Sequence, residues 1–144
     1  MPELPEVETT LRGISKKIIN KKIESFKSRT QKLRWPLDRD LSRFLKNKII
    51  ISAWRRGKYI IFNLSEGHLL IHLGMSGKLR VFDGQVTPKK HEHWDLSFTD
   101  GWTLRYTDIR KFGALVKIKE KPEEHKLPKN CLLYTSDAAD DQLG

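Results

Sequence analysis

One cysteine, Cys131, stands among 144 residues, which excludes an internal disulfide framework and the multi-cysteine ligand set of a structural zinc site. No apolar run approaches the ~18 residues that a membrane span needs. The start, Met-Pro-Glu-Leu-Pro-Glu, carries two acids and no apolar h-region, so it does not read as a secretory signal. Acids are in short supply: 18 Asp and Glu face 28 Lys and Arg, a formal net charge of +10. Bases in turn are missing from Tyr134 to Gly144, which holds Asp137, Asp140 and Asp141 and leaves +13 on residues 1–133. With 38% hydrophobic residues the chain can bury a core, and its length suits one domain of ~100–200 residues. The expectation is a soluble, cytoplasmic protein. Its field suits a polyanion, nucleic acid first, although a merely solubilising Lys-rich surface has the same composition.

Val7, Leu11, Ile14 and Ile18 recur at the spacing of an amphipathic helix beginning near Pro5, with Glu6 and Glu8 in its first turn and Lys16 and Lys17 near its end. A period of two follows in short β-branched and aromatic runs: Lys22–Ser28, Lys48–Trp54, Tyr59–Leu64, His68–His72, Lys78–Phe82, Trp94–Phe98, Trp102–Tyr106 and Ala114–Ile118. A short helix is expected between the first two, capped by Asp38 or Asp40, with Leu41, Phe44 and Leu45 on its apolar side. Asp100-Gly101 sets a register. A three-residue loop at 99–101 pairs Phe98 with Trp102, Leu96 with Leu104 and Trp94 with Tyr106, whereas a two-residue turn puts the strands out of phase. Gly101 is therefore expected in a left-handed bulge. These signals predict a mainly β fold with flanking helices: a two-layered antiparallel β-sandwich with an N-terminal helix. Glu120 to Lys129 reads as an exposed connector, and residues 134–144 as an atypical acidic tail after a domain at 1–133.

Four patches could carry chemistry. Removal of Met1 leaves Pro2 with a free secondary amine, and an α-amine titrates near ~7.7–8.0 rather than the ~10.4 of lysine. Such an amine can attack the C1′ of a sugar to give an iminium, an electron sink, with Glu3 placed to move protons and Glu6 one helical turn on. Two acids at a helix start are also ordinary dipole complements. Arg55-Arg56-Gly57-Lys58-Tyr59 suits phosphates or a charged hairpin tip. Met75, between Gly74 and Gly77, suits a wedge between bases or a core position. Arg110 and Phe112, two apart before Gly113, put a cation and an aromatic on one side of an extended loop.

Taken in order, Pro-Glu-Leu-Pro-Glu-Val-Glu-Thr at 2–9, Leu-Arg-Trp-Pro at 33–36, Arg-Gly-Lys-Tyr at 56–59, His-Leu-Gly-Met-Ser-Gly at 72–77, His-x-His-x-Asp at 91–95 and Tyr-Thr-Asp-x-Arg-x-Phe-Gly at 106–113 closely resemble the bacterial formamidopyrimidine-DNA glycosylases. The resemblance covers roughly residues 2–120. A sister group acting on oxidised pyrimidines usually has Gly where this chain has Leu4, which favours the oxidised-purine branch.

The resemblance implies a monomeric base-excision-repair enzyme on damaged double-stranded DNA. It would remove 8-oxoguanine and formamidopyrimidines and then cut the abasic strand. Pro2 would be the nucleophile, Glu3 the acid/base group at the sugar, and Glu6 a support from the helix. Lys58 and His72 would hold phosphates near a flipped nucleotide. Arg110 would face the orphaned base, Phe112 would wedge beside it, and Met75 would fill the space left by the lesion. Ile109 and Lys111 depart from the Pro and Arg common there. The family continues through a helix-two-turn-helix module and a four-cysteine zinc finger. Neither is found here, so no cofactor or metal ligand is expected in this chain, zinc belonging to the absent finger. The expectation is a truncated catalytic half, with a catalytically inactive damaged-DNA-binding β-module as the alternative.

Overall fold

The computed structural model describes residues 4–119. Helix α1 (Leu4–Ile18) buries Val7, Leu11, Ile14 and Ile18 along one stripe, with Glu6 in its first turn and Lys16 and Lys17 in its last, the signs its dipole favours. Asn20 then turns left-handed at φ 70 and donates its N–H to the Ile50 carbonyl at 2.7 Å. The chain enters β1 (Ile23–Ser28), α2 (Leu41–Leu45), β2 (Ile50–Arg56), β3 (Tyr59–Leu64), β4 (His68–His72), β5 (Lys78–Asp83), β6 (Glu92–Phe98), β7 (Trp102–Thr107) and β8 (Ala114–Ile118). Every expected strand forms, its ends within two residues of the sequence pattern.

The strands make two antiparallel sheets, β1-β6-β7-β5 and β2-β3-β4-β8. Phe26, Trp94, Leu96, Phe98, Leu104 and Tyr106 of the first face Ile60, Phe62, Leu69, Ile71 and Leu115 of the second in one core, which α1 and Leu41 and Leu45 of α2 join. Trp94 stacks on Tyr106 with ring centres 5.4 Å apart. The β6–β7 ladder pairs Trp94 with Tyr106 and Leu96 with Leu104. Gly101 takes φ 94 and donates to the Phe98 carbonyl at 3.0 Å, the three-residue loop that the side-chain phase demanded.

One detail differs from expectation. Asp40 occupies the N-cap of α2 without a side-chain cap bond. Its backbone lies outside the extended region that capping geometry uses, and its carboxylate accepts from Lys117 Nζ of β8 at 3.0 Å instead. The second sheet is also apolar on its outer face, where Tyr59, Ile61, Leu70 and Ile118 form a separate cluster with Trp35, Trp54 and Val116.

Chain passes between the sheets at one end. The β4–β5 crossover leaves after His72 and arrives at Lys78; the β7–β8 crossover leaves after Thr107 and arrives at Ala114. Since His72 pairs with Ala114 and Lys78 with Thr107, the two crossovers run side by side. Tyr59 pairs with His72, which brings the β2–β3 tip to the same end.

Candidate nucleic-acid interface

Lys58, His72, Met75, Arg110 and Phe112 all stand on these three neighbouring segments. Pro2 and Glu3 lie outside the described residues, as do Cys131 and the acidic tail. Glu6 is exposed in the first turn of α1. Two residues on, Glu8 accepts from Arg55 Nε at 2.9 Å, and Arg55 also donates to the Gly57 carbonyl at 2.9 Å. The Arg55 hydrogen bond holds the Glu8 carboxyl below its usual range. Of the three bases around Gly57, Arg55 thus ties the start of α1 to the hairpin tip, while Lys58 is half-buried beside it.

His72 is only 1% exposed. Burial, with Arg34 and Lys58 nearby, pushes its pKa down to about 4 against a weaker pull from Asp108. The Gly74 N–H donates to its Nδ1 at 3.0 Å, so at neutral pH the ring proton sits on Nε2. His72 therefore brings no charge to this end of the sandwich and sits behind its surface, beside the half-buried Lys58. The Tyr59 ring packs on it at 4.7 Å between centres.

Met75 is 43% exposed and Phe112 48%, and Arg110 is exposed between Ile109 and Lys111. Large apolar side chains thus stand exposed on two adjacent loops, with exposed Arg110 and Lys111 beside them. A core role for Met75 is thereby set aside. The two loops meet backbone to backbone: a side-chain carbon at Gly74, which has φ 66, would fall 2.6 Å from the Gly113 nitrogen and the Phe112 carbonyl carbon. A third segment joins them where Arg34 N–H donates to the Gly113 carbonyl at 2.8 Å and Lys111 Nζ reaches Thr30 Oγ1 at 3.2 Å.

Sequence reasoning passed over two features. Asp108, fully buried, accepts hydrogen bonds from both crossovers; an Asp two residues before Arg110, at the end of a strand, is the Asx-turn signal that could have found it. The second is a charged row on the outer face of the first sheet. Lys27, Asp95, Arg105 and Arg80 fall in register across its four strands. Arg105, 2% exposed, donates to Asp95 from Nε at 2.8 Å, and Arg29 reaches the same carboxylate at 3.0 Å. Burial pushes the Asp95 carboxyl up, but Arg105 and Arg29 outweigh it and hold the pKa down. Part of the positive charge is thus matched inside the fold. Among the described residues no three His, Cys, Asp or Glu side chains are grouped to hold a metal ion, and no helix is long and apolar enough to cross a membrane.

Comparison with known proteins gives a consistent result. Residues 1–115 match the family model described as the formamidopyrimidine-DNA glycosylase N-terminal domain. The formamidopyrimidine-DNA glycosylase of Psychromonas ingrahamii is 50% identical over 127 residues, which is 88% of this chain and 47% of that protein. The protein of the same name from Neisseria meningitidis is 48% identical over 131 residues, 88% of this chain and 48% of its own. The chain thus spans about half the length of the curated relatives it matches. Among solved structures, the Lactococcus lactis formamidopyrimidine-DNA glycosylase bound non-covalently to DNA containing an abasic site aligns with a TM-score of 0.74 and 38% identity, covering 81% of this chain and 45% of that one. The same organism's enzyme in complex with DNA containing a formamidopyrimidine lesion also aligns at 0.74, with 36% identity over 81% of this chain and 44% of that one.

Proposed function

Because the chain belongs to the formamidopyrimidine-DNA glycosylase family, we propose that it supplies the chemistry of a bifunctional glycosylase and abasic-site lyase acting on oxidised purines in double-stranded DNA. The observation that carries this reading is the convergence, at one end of the sandwich, of Lys58, the buried neutral His72 behind it, and exposed Met75, Arg110 and Phe112. Lys58 takes phosphate oxygens beside the damaged nucleotide, and His72, buried beside it, supports that contact from within. Phe112 and Met75 enter the stack, and Arg110 meets the base left without its partner, which offsets the cost of flipping.

The unprotonated Pro2 nitrogen attacks C1′. The C–N bond to the sugar forms as the glycosidic bond breaks; the lesion base leaves with the electron pair and takes up a proton, and the Pro2 nitrogen gives up its own proton. Glu3 protonates the ring oxygen as the C1′–O4′ bond opens, giving an iminium between Pro2 and the sugar. That cation acidifies the C2′ hydrogen. Its loss expels the 3′ phosphate, a second elimination expels the 5′ phosphate, and water then releases the sugar remnant and restores the amine. Glu6 supports the site from the first turn of α1, which the Glu8–Arg55 ion pair ties to the Lys58 hairpin.

The test is strand cleavage of a duplex bearing one abasic site. The native chain should leave phosphate at both new ends, and Pro2→Gly should leave the strand intact while still binding duplex in low salt. Binding without cleavage by the native chain would instead favour an inactive damaged-DNA-binding module, and equal cleavage by Pro2→Gly would overturn the assigned nucleophile.

A further inference from the structure

We propose that Asp108 is the positioning residue that clasps the Met75 loop to the Arg110–Phe112 loop and holds both in the arrangement that enters DNA. The proposal rests on the reading of Met75, Arg110 and Phe112 given above. Asp108 is fully buried, so it acts through its neighbours. Its Oδ1 accepts from Ser76 Oγ at 2.6 Å and from the Arg110 N–H at 3.2 Å. Its Oδ2 accepts from Tyr106 Oη at 2.6 Å and from the Gly113 N–H at 3.0 Å. One carboxylate therefore fixes the residue after Met75, the backbone of Arg110, and the backbone immediately after Phe112. Ser76 Oγ closes the ring by also accepting the Arg110 N–H at 3.2 Å.

The backbone of Asp108 is braced from His91 and from His93 at the start of β6. Its N–H donates to the His91 carbonyl at 2.9 Å, and its carbonyl accepts from His93 Nε2 at 2.6 Å. The His-x-His pair at 91–93 thus acts through Asp108, with its own ring 7% exposed at His93.

Chemistry selects a carboxylate here. All four side-chain contacts are donors, and only a group with two accepting oxygens serves them all. Asparagine has nearly the same shape but turns one oxygen into an NH2. The Tyr106 and Ser76 hydroxyls can rotate to accept, whereas the Gly113 and Arg110 N–H groups cannot. Asp108→Asn must therefore set a donor against either the Arg110 or the Gly113 N–H and loosen the Arg110–Phe112 loop while leaving the volume of the site unchanged, and a lost bond to a buried charge of this kind frees its partner by about tenfold or more.

Two readouts on the 144-residue chain test this. Amide hydrogen exchange should speed up about tenfold or more at Arg110 or Gly113 in Asp108→Asn, with core amides of β3 and β6 unchanged. In parallel, a duplex carrying 2-aminopurine opposite a tetrahydrofuran abasic analogue reports insertion. The native chain should change its fluorescence, Phe112→Ala should abolish the change, and Asp108→Asn should shrink it severalfold while the salt dependence of duplex binding stays as in the native chain. Unchanged exchange at both amides, or a full fluorescence response in Asp108→Asn, overturns the inference while leaving the DNA reading intact. A native chain that leaves 2-aminopurine silent overturns the DNA reading and the inference with it. Should Asp108→Asn fail to fold, Ser76→Ala removes the hydroxyl that joins the Met75 loop to Asp108 and must shrink the fluorescence response severalfold; a full response in that chain overturns the inference.

Discussion

His72 shows how burial changes what a residue can contribute. A histidine beside Lys58 in a basic protein invites a reading as a second positive charge, yet burial and the neighbouring Arg34 and Lys58 keep it neutral with a pKa of about 4. A folded pKa below the unfolded ~6.5 means that the unfolded chain binds more protons between those values, so stability falls as pH drops from 6.5 to 4. Between pH 7 and pH 4.5 the native chain should lose about 2 kcal/mol of unfolding free energy that His72→Gln does not lose, read from urea melts at those two pH values. Parallel pH dependence in the two chains would contradict the buried neutral ring. Little of this was legible beforehand, because burial of His72 depends on Tyr59 packing from the neighbouring strand. Met75 illustrates the same limit. One Met between two glycines has no periodicity, and only the crossing of two loops decides that it faces outward.

At the level of elements, pattern reading went further. The 98–102 loop was determined by phase alone, since only three loop residues keep Trp94, Leu96, Leu104 and Tyr106 on one face, and the ladder has that register. The same register already implied Asp95 opposite Arg105 on the other face, a pair legible from the sequence and read only in the structure. The α1 stripe was equally plain, but not its purpose. Helix α1 packs on β2 and β5, and through Glu8 and Arg55 it is tied to the hairpin that carries Lys58. Ile18, with no exposed surface, anchors its far end. Ile18→Ala should cost about 2–5 kcal/mol, measured by chemical denaturation, whereas Arg55→Ala, which removes a half-exposed ion pair, should cost about 1 kcal/mol or less. An Ile18→Ala chain as stable as the native one would mean that α1 is not docked. The Asp40 cap was located but misread, because Lys117 comes from β8, more than seventy residues away, and local rules do not see it.

Across the whole molecule, topology does what motifs alone could not. Five residues spread from Lys58 to Phe112 meet because the chain changes sheets twice at one end, with His72 paired to Ala114 and Lys78 to Thr107. The motif order pointed to the family, and the family model matches residues 1–115; the crossovers supply the physical reason why those motifs belong together. The overall charge was a blunter guide, since Arg55, Arg29 and Arg105 are matched by Glu8 and Asp95 within the fold. What the bases and exposed apolar side chains serve, in the reading proposed here, is chemistry at the nitrogen of residue 2. Borohydride reduction during incubation with an abasic-site duplex reports on that nitrogen directly. A covalent protein–DNA adduct should form, map by mass spectrometry to Pro2 with Met1 removed, and disappear in Pro2→Gly. An adduct on a lysine, or none with a chain that binds the duplex, would contradict it.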